Sequence, residues 1–155
     1  MIGTDEITAV TRKLRMIWLA LLLSVAALNM VVWFLLRSQR APAVDIDSSV
    51  LVVGAVLVLS PLMLSPIVRR RIETPPRDAT ARQIVQRWQA GWIVGQAMKE
   101  AVGLGGLVLA LLAGSTTWAW GFAGASLLSM FMTPPWEREV RARVQRATGS
   151  PFLEP

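Results

Sequence analysis

The chain has 155 residues, carries a net charge of +6, and is 54% hydrophobic. It contains neither cysteine nor histidine. Disulfides, thiolate nucleophiles, Cys/His zinc sites, haem held by those residues and a histidine general base are therefore excluded. Most familiar redox and hydrolytic membrane enzymes depend on such groups. We therefore expect a protein that is not an enzyme and that holds no cofactor and no metal.

Four apolar segments dominate the chain. A transmembrane helix needs about 20 mostly apolar residues, because the hydrocarbon core is roughly 30 Å thick and each residue rises about 1.5 Å. The segments that approach this length are residues 16–36, 50–68, 92–114 and 117–132, of which the last is short. The sequence predicts an all-α integral membrane protein, an antiparallel bundle of four transmembrane helices within residues 1–133. An amphipathic cytoplasmic helix and tail are predicted for residues 134–155.

The connections between these segments are short except for residues 69–90. Thr74-Pro75-Pro76 breaks that connection, and we expect a helix to restart near Asp78, a possible N-cap, and to continue into the third span as one rod. Residues 115–116 leave room only for a tight turn, which predicts a helical hairpin. Ala41-Pro42-Ala43 is similar to a signal-peptidase site. The preceding apolar run exceeds the roughly 7–15 residues of a signal peptide, so we expect no cleavage.

Positive charge is distributed unevenly about the predicted spans. Thirteen of the sixteen basic residues lie before the first span, between the second and third, or after the fourth. Only Arg37 and Arg40 flank the opposite side. The positive-inside rule therefore predicts a cytoplasmic N-terminus, middle loop and C-terminus. Arginine far outnumbers lysine, which is typical of GC-rich bacterial genes, so we expect a multi-pass protein of a bacterial inner membrane.

Tryptophan gives an independent indication of the span ends, because its ring prefers the headgroup level of a bilayer. Every tryptophan lies near a predicted span end: Trp18, Trp33, Trp88, Trp92, Trp118, Trp120 and Trp136. Together with Arg69, Arg70 and Arg71, they are the predicted lipid-interface residues. The lipid bilayer is thus the first expected partner, and membrane orientation explains the basic charge better than nucleic-acid binding does.

The C-terminal segment has the pattern of an amphipathic helix. Thr133-Pro134-Pro135 marks the end of the fourth span and the start of this helix. Trp136, Val140 and Val144 recur every four residues and share one face. Acid-before-base pairs at i,i+4 occupy the other positions: Glu137 with Arg141 and Glu139 with Arg143. Two interpretations stay open, a helix on the anionic leaflet or a helix docked on the protein's own loop.

Lys99 and Glu100 are the only ionisable residues inside a predicted span. Charge within a bilayer is costly, which makes such residues functional candidates. Adjacent residues on a helix point in different directions, so these two are not expected to pair. Glu100 could reach Gln96, four residues earlier, or an arginine of another helix. The alternatives are a structural acid that fixes helix packing, a proton- or cation-handling carboxylate, and an interfacial pair without a special role.

Residues 95–112, GQAMKEAVGLGGLVLALL, resemble the ion-carrying helix of rotary ATP synthase c subunits. That family has a small–small–Glu–Ala signature followed by an apolar run, and the resemblance implies that Glu100 would be the proton-binding carboxylate. It covers about 18 of the 155 residues. The family's glycine-repeat helix is missing, and its acid lies nearer the middle of the membrane without an adjacent lysine. We attribute the resemblance to convergent composition and keep the hypothesis that a lone intramembrane glutamate can be protonated.

The third and fourth spans carry small residues at helical spacing. These predicted helix-packing residues are Gly91, Gly95, Gly106, Ala110, Gly114, Gly121 and Ala125. Such stripes let helix backbones approach closely. They indicate either packing between the protein's own helices or docking against a partner subunit.

Three classes of function follow from these patterns. The leading hypothesis is a non-catalytic accessory, scaffolding or assembly subunit of a larger inner-membrane complex, with other membrane-protein subunits or further copies of this chain as partners. The second is a small oligomeric transporter or proton- or cation-handling protein that uses Glu100. The third is a membrane enzyme such as a serine–lysine hydrolase built on Lys99, which no motif supports.

Overall fold

The structure is a computed structural model that describes residues 4–38, 47–76 and 79–148, and all regular structure in those ranges is α-helical. The helices are α1 (Thr4–Ser38), α2 (Ser48–Glu73), α3 (Ala81–Ala113), α4 (Thr116–Phe131) and α5 (Glu137–Thr148). The predicted all-α class is therefore confirmed. Arg40, Asp78 and the Ala41-Pro42-Ala43 motif lie outside the described residues.

Three of the described helices, α1, α2 and α3, are long and apolar enough to cross a membrane. Their apolar stretches have mean hydropathies of 2.5, 2.4 and 1.4. The structure thus indicates a membrane-embedded helical protein. Helix α4 has 16 residues, and at about 1.5 Å per residue it is shorter than a hydrocarbon core of about 30 Å.

Helix α3 is the central helix and packs against α1, α2, α4 and α5. It is one continuous rod of 33 residues, as predicted. Thr80 begins it with a capping box, in which the Thr80 side chain accepts from Gln83 N–H and the Gln83 side chain accepts from Thr80 N–H. The described N-cap is therefore two residues beyond the predicted Asp78. Gly114 ends the helix in the left-handed conformation, with φ at 59°, and the tight turn to α4 follows as predicted.

Helix α2 stays helical although Pro61 and Pro66 lie inside it. A proline cannot donate to the carbonyl four residues earlier. Ser60 Oγ donates instead to the Leu57 carbonyl at 2.8 Å, which is the carbonyl that Pro61 leaves without a donor. Ser65 Oγ donates across the interface to the Gly95 carbonyl of α3 at 3.2 Å. The serine of each Ser-Pro step therefore satisfies a carbonyl, one within α2 and one on α3.

The beginnings of α1 and α3 pack with α5 around one apolar core, which we call the end cluster. It consists of Ile7, Leu14, Ile84, Val85, Trp88, Trp92, Val140 and Val144. Val140 and Val144 are 1% and 3% exposed, so α5 docks its apolar face on the protein itself. Of the two interpretations of this amphipathic helix, the structure shows docking on the chain. Trp136, which was predicted to share that face, lies before the helix and is 48% exposed.

Candidate functional site

Three side chains of α3 converge on Thr133, the second residue after the end of α4. Trp92, Gln96 and Lys99 share one face of α3, because residues three and four apart are neighbours on a helix. Trp92 Nε1 and Gln96 Nε2 donate to the Thr133 carbonyl at 3.2 and 3.0 Å, and Gln96 Nε2 also lies 3.0 Å from the Thr133 hydroxyl. Lys99 Nζ donates to the Ser129 carbonyl at 3.0 Å and to the Thr133 hydroxyl. We call these five residues the α4 cap.

The α4 cap stabilises a helix terminus. The last carbonyls of a helix have no donors within the helix, and they form the negative end of its dipole. The ammonium of Lys99 supplies both a donor and a positive charge at that end. Ser126 Oγ donates to the Lys99 carbonyl at 2.7 Å, which joins α3 and α4 a second time. Lys99 reaches the backbone of Ser129 rather than its hydroxyl, so the described residues form no serine–lysine catalytic pair.

Glu100 lies outside the α4 cap. It is half-buried on α3, and among the described residues it forms no hydrogen bond or ion pair. The predicted contact with Gln96 is not formed, because Gln96 directs its amide nitrogen to Thr133 and its Oε1 atom is buried without a donor in the described part of the chain. The structure therefore distinguishes the two adjacent candidates. Lys99 contacts α4, and Glu100 has no polar partner in the ranges that the structure describes.

A second polar group joins α2 to α5, and we call it the ion-pair ring. Glu73 Oε1 lies 2.6 Å from Arg69 Nε, and Glu73 Oε2 lies 2.7 Å from Arg143 Nη1. Both arginines also contact Glu139 Oε1, at 3.0 Å from Arg69 and 2.9 Å from Arg143. The Glu73 side chain is only 4% exposed. A buried carboxylate needs such pairing, and here two cations surround it.

The ion-pair ring changes the predicted role of Arg69. Arg69 was grouped with Arg70 and Arg71 at the lipid interface, but its side chain is 19% exposed and holds two carboxylates. Arg70 and Arg71 remain exposed. The spacing of Arg69 and Glu73, four residues apart, was a readable signal for half of the ring. The pairing between α2 and α5 had no signal in the sequence.

The predicted small-residue positions have three different environments. Gly91 and Gly95 face α2, where a Cβ added at Gly91 would lie 2.6 Å from Glu73 Cγ. At Gly106 an added Cβ would lie 2.1 Å from Phe122 Cβ, so α3 and α4 are in close contact there. At Gly121 nothing lies within 4 Å of an added Cβ.

The remaining predicted packing positions, Ala110, Gly114 and Ala125, also lie in different environments. Ala110 is fully buried in a cluster with Val32, Leu107 and Ala119, and Gly114 forms the turn. Ala125 lines an apolar groove of about 430 Å³ together with residues of α4 and one residue of α2. Packing between the chain's own helices therefore explains Ala110, whereas Ala125 borders open space.

Three of the tryptophans differ sharply in exposure. Trp88 and Trp92 are 1% exposed in the end cluster, so they contact protein rather than lipid, and their assignment to the lipid interface is wrong. Their position in the end cluster could not be told from a span-end position by sequence. Trp120 is 50% exposed, and for it the interface role stays a prediction.

Trp18, Trp33 and Trp118 make specific contacts. Trp18 Nε1 donates to the Met130 carbonyl at 3.1 Å, and the Trp118 ring stacks on Phe122 with centroids 5.9 Å apart. Arg37 lies over the Trp33 ring at 5.1 Å, which is a cation–π contact. The Trp18 contact joins α1 to α4, whereas the Trp118 contact lies within α4 and the Trp33 contact within α1.

Glu137 links α5 to the start of α1. It accepts from the Thr8 hydroxyl at 3.0 Å and from Arg141 Nη2 at 2.5 Å. The hydrogen bonds from Arg141 and then from Thr8 hold the pKa of Glu137 below the ordinary glutamate range.

The described ranges contain no group of three or more carboxylate, histidine or cysteine side chains arranged to hold a metal ion. The polar side chains that come together instead bind one another, in the α4 cap and in the ion-pair ring. No protein-family model, curated protein or solved structure matches this chain.

Proposed function

We propose that this protein is a non-catalytic accessory, scaffolding or assembly subunit of a larger complex in a bacterial inner membrane. The observation that carries the proposal is the use of its polar side chains. Lys99 and Gln96 stabilise the end of α4, and Glu73 is enclosed by two arginines. Each of these polar groups forms its hydrogen bonds or ion pairs with the chain's own helices. No assembled set of residues is therefore left for a reaction in the described part of the chain.

In this proposal α4 is a fourth span, and both ends of the chain are cytoplasmic. The start of α1 and α5 meet in the end cluster, and Thr8 bonds to Glu137. Two segments on one side of a membrane are separated by an even number of crossings, which supports four spans rather than three. Local thinning of the bilayer accommodates a short helix at modest cost. The excess of arginine at this end supports a cytoplasmic location.

The open surface of α2 and α4 supports the partner-binding part of the proposal. Only 6% of the most apolar stretch of α2 is buried in the protein. Nothing lies within 4 Å of a Cβ added at Gly121 or Gly124 of α4. Small residues on a membrane helix permit close approach of another helix. A partner's span could therefore approach α4 at these positions without clashing with this chain.

The test is gentle detergent extraction of the tagged native protein followed by native mass spectrometry. Partners at defined stoichiometry are the expected result, and a lone monomer or homo-oligomer would contradict the accessory-subunit proposal. Gly121→Leu should reduce the recovered partner severalfold while the protein stays folded. Ala97→Leu makes the same kind of change on the exposed side of α3 and should leave recovery unchanged.

A second candidate function is transport of protons or other cations through a small oligomer. The observation that favours it is Glu100, a half-buried carboxylate on α3 without a polar partner among the described residues. The test is Glu100→Gln in protein reconstituted into vesicles with a pH-sensitive dye inside. A transport role predicts loss of flux with assembly unchanged. A packing role predicts altered stability and no flux in either protein.

A further inference from the structure

A cavity of about 370 Å³ lies beside the ion-pair ring, at the end of α2. Its lining residues are Glu73, Pro75, Ile84, Trp88, Arg143 and Arg146. Glu73 lies four residues beyond Arg69, the first charged residue after the apolar run of α2, so it lies about 6 Å further along the helix axis. In the proposed topology this depth is the headgroup region of the cytoplasmic leaflet, since that region extends about 5–8 Å beyond each face of the hydrocarbon core.

The cavity combines an apolar wall with a positive rim. Pro75, Ile84 and Trp88 provide the wall, and Ile84 and Trp88 are held in place by the end cluster. Among the described lining residues, Glu73 is the only carboxylate, and it is already bound by two arginines of the ion-pair ring. The remaining charge among these described residues is the guanidinium of Arg146, which is exposed. Within the described part of the chain, Arg146 donates only from its Nε atom, to the Ala142 carbonyl at 3.1 Å.

The indole N–H group of Trp88 lies behind the cavity wall. Trp88 is 1% exposed, and its Nε1 atom is buried without a hydrogen-bond acceptor among the described residues. Buried donors in folded proteins are nearly always satisfied by protein or by a bound molecule. Less than 1 Å² of the Nε1 atom is accessible, so Trp88 presents its apolar ring to the cavity rather than its N–H group.

We propose that this cavity binds a phosphate-bearing anion, with the headgroup of an anionic phospholipid as its membrane source. The phosphate lies against Arg146 and the outer edge of Arg143, because guanidinium groups bind phosphate oxygens through paired N–H donors. The aliphatic part of the headgroup packs on Ile84 and Trp88. Basic pockets at the cytoplasmic ends of membrane helices bind such headgroups in general. This inference rests on the membrane placement proposed above.

The experiment is native mass spectrometry of the full-length, delipidated protein, titrated with phosphatidylglycerol, with phosphatidylcholine, or with inorganic phosphate. Arg146→Gln removes the free guanidinium without touching the ion-pair ring. Arg138→Gln removes the same charge from the same helix, outside the cavity lining, where Arg138 lies over Trp136 at 5.2 Å. We expect one phosphatidylglycerol per protein, bound about tenfold less well by Arg146→Gln, the usual effect of losing a charged hydrogen bond. Arg138→Gln should match the native protein.

Each outcome has a defined meaning. If inorganic phosphate competes with phosphatidylglycerol, the cavity recognises the phosphate alone. If inorganic phosphate does not compete and phosphatidylglycerol still binds better than phosphatidylcholine, the cavity recognises the whole headgroup. Equal binding of phosphatidylglycerol and phosphatidylcholine overturns the proposal, as does an Arg146→Gln protein that binds like Arg138→Gln. Partner subunits have no part in this titration. Its failure is therefore distinguishable from failure of the accessory-subunit proposal.

Discussion

The apolar side chains of the end cluster and those of the apolar stretch of α2 differ in how far the protein itself buries them. In the end cluster, side chains from three helices bury one another, and Ile7, Trp88 and Val140 are each at most 1% exposed. In α2, only 6% of the apolar stretch is buried, and residues such as Val56 and Met63 are 63% and 76% exposed. The first region has the anatomy of a water-soluble core. The second is complete only when lipid or another helix covers it.

Because of this difference in burial, different forces stabilise the two regions. In water, removal of apolar surface is the dominant favourable term. Between helices in lipid that term is nearly absent, and close packing and hydrogen bonds hold the helices instead. We therefore expect apolar truncation to be most costly in the end cluster. Among the spans, the sensitive positions should be glycines and polar contacts.

The largest effect is expected from Trp88→Ala in the end cluster. Removing a fully buried tryptophan side chain costs about 3–5 kcal/mol of stability, and Trp88 contacts the region where α1, α3 and α5 meet. Urea unfolding in detergent should show this loss, and limited proteolysis should show early cleavage of α5. Trp120→Ala is the matched control, because Trp120 is 50% exposed and should change stability little. Equal effects of the two variants would remove the distinction between the regions.

The second effect is expected from Gly106→Ala, between α3 and α4. The added Cβ would lie 2.1 Å from Phe122 Cβ, so the helices must separate, at a cost of about 1–3 kcal/mol. Gly121→Ala is the control, since that site is open and alanine favours helix by up to about 1 kcal/mol. Thermal unfolding in detergent compares the two variants. A Gly106→Ala protein as stable as Gly121→Ala would show that α3 and α4 do not pack as described.

The third effect is expected from Lys99→Met in the α4 cap. The substitution keeps a long apolar stem but removes the cation from the Ser129 carbonyl and the Thr133 hydroxyl. The expected loss is about 1–2 kcal/mol, within the range for a charge at a helix terminus and for a charged hydrogen bond. Hydrogen exchange of the last turn of α4 is the local measurement. Faster exchange only in distant helices would show that Lys99 does not stabilise the last turn of α4.

Much of the fold was predictable because the relevant signals are local. A charge-free apolar run indicates a membrane helix, and two residues between such runs permit only a turn, as Gly114 and Ser115 form. Valine at four-residue spacing correctly indicated the apolar face of α5. Which surface that face contacts, lipid or protein, depends on Ile84 and Trp88 of a distant segment. Spacing along one helix carries no such information.

The candidate site was predictable only in part for the same reason. The sequence indicated Lys99 and Gln96 as unusual residues within a span, but their shared partner, Thr133, is more than thirty residues away. Glu73 drew no attention as the residue before a Thr-Pro-Pro break, although Arg69 at i−4 indicated a pair. Its second cation, Arg143, comes from α5. Long-range pairing between polar residues leaves no periodic pattern.

The smallest effect is a pH dependence of the α1–α5 contact through Glu137. Bonds from Arg141 and Thr8 lower the pKa of this carboxyl in the folded protein. A lowered folded pKa means that the carboxylate stabilises the fold above the unfolded pKa, which is about 4.3 for glutamate. This stability is lost as the pH falls through the folded pKa. The native protein should therefore be more stable than Glu137→Gln at neutral pH, by a small margin since the pair is partly exposed.

Denaturation midpoints of the native protein and Glu137→Gln, measured in detergent from neutral pH down to about pH 3, test this expectation with the range set by the glutamate pKa. All other ionisable residues are identical in the two proteins, so the difference between the two isolates Glu137. That difference should shrink as the pH falls. A difference that stays constant over the range would assign the effect of Glu137 to its shape and hydrogen bonding rather than to its charge. The contact between the two ends of the chain would then be as independent of pH as the apolar packing beneath it.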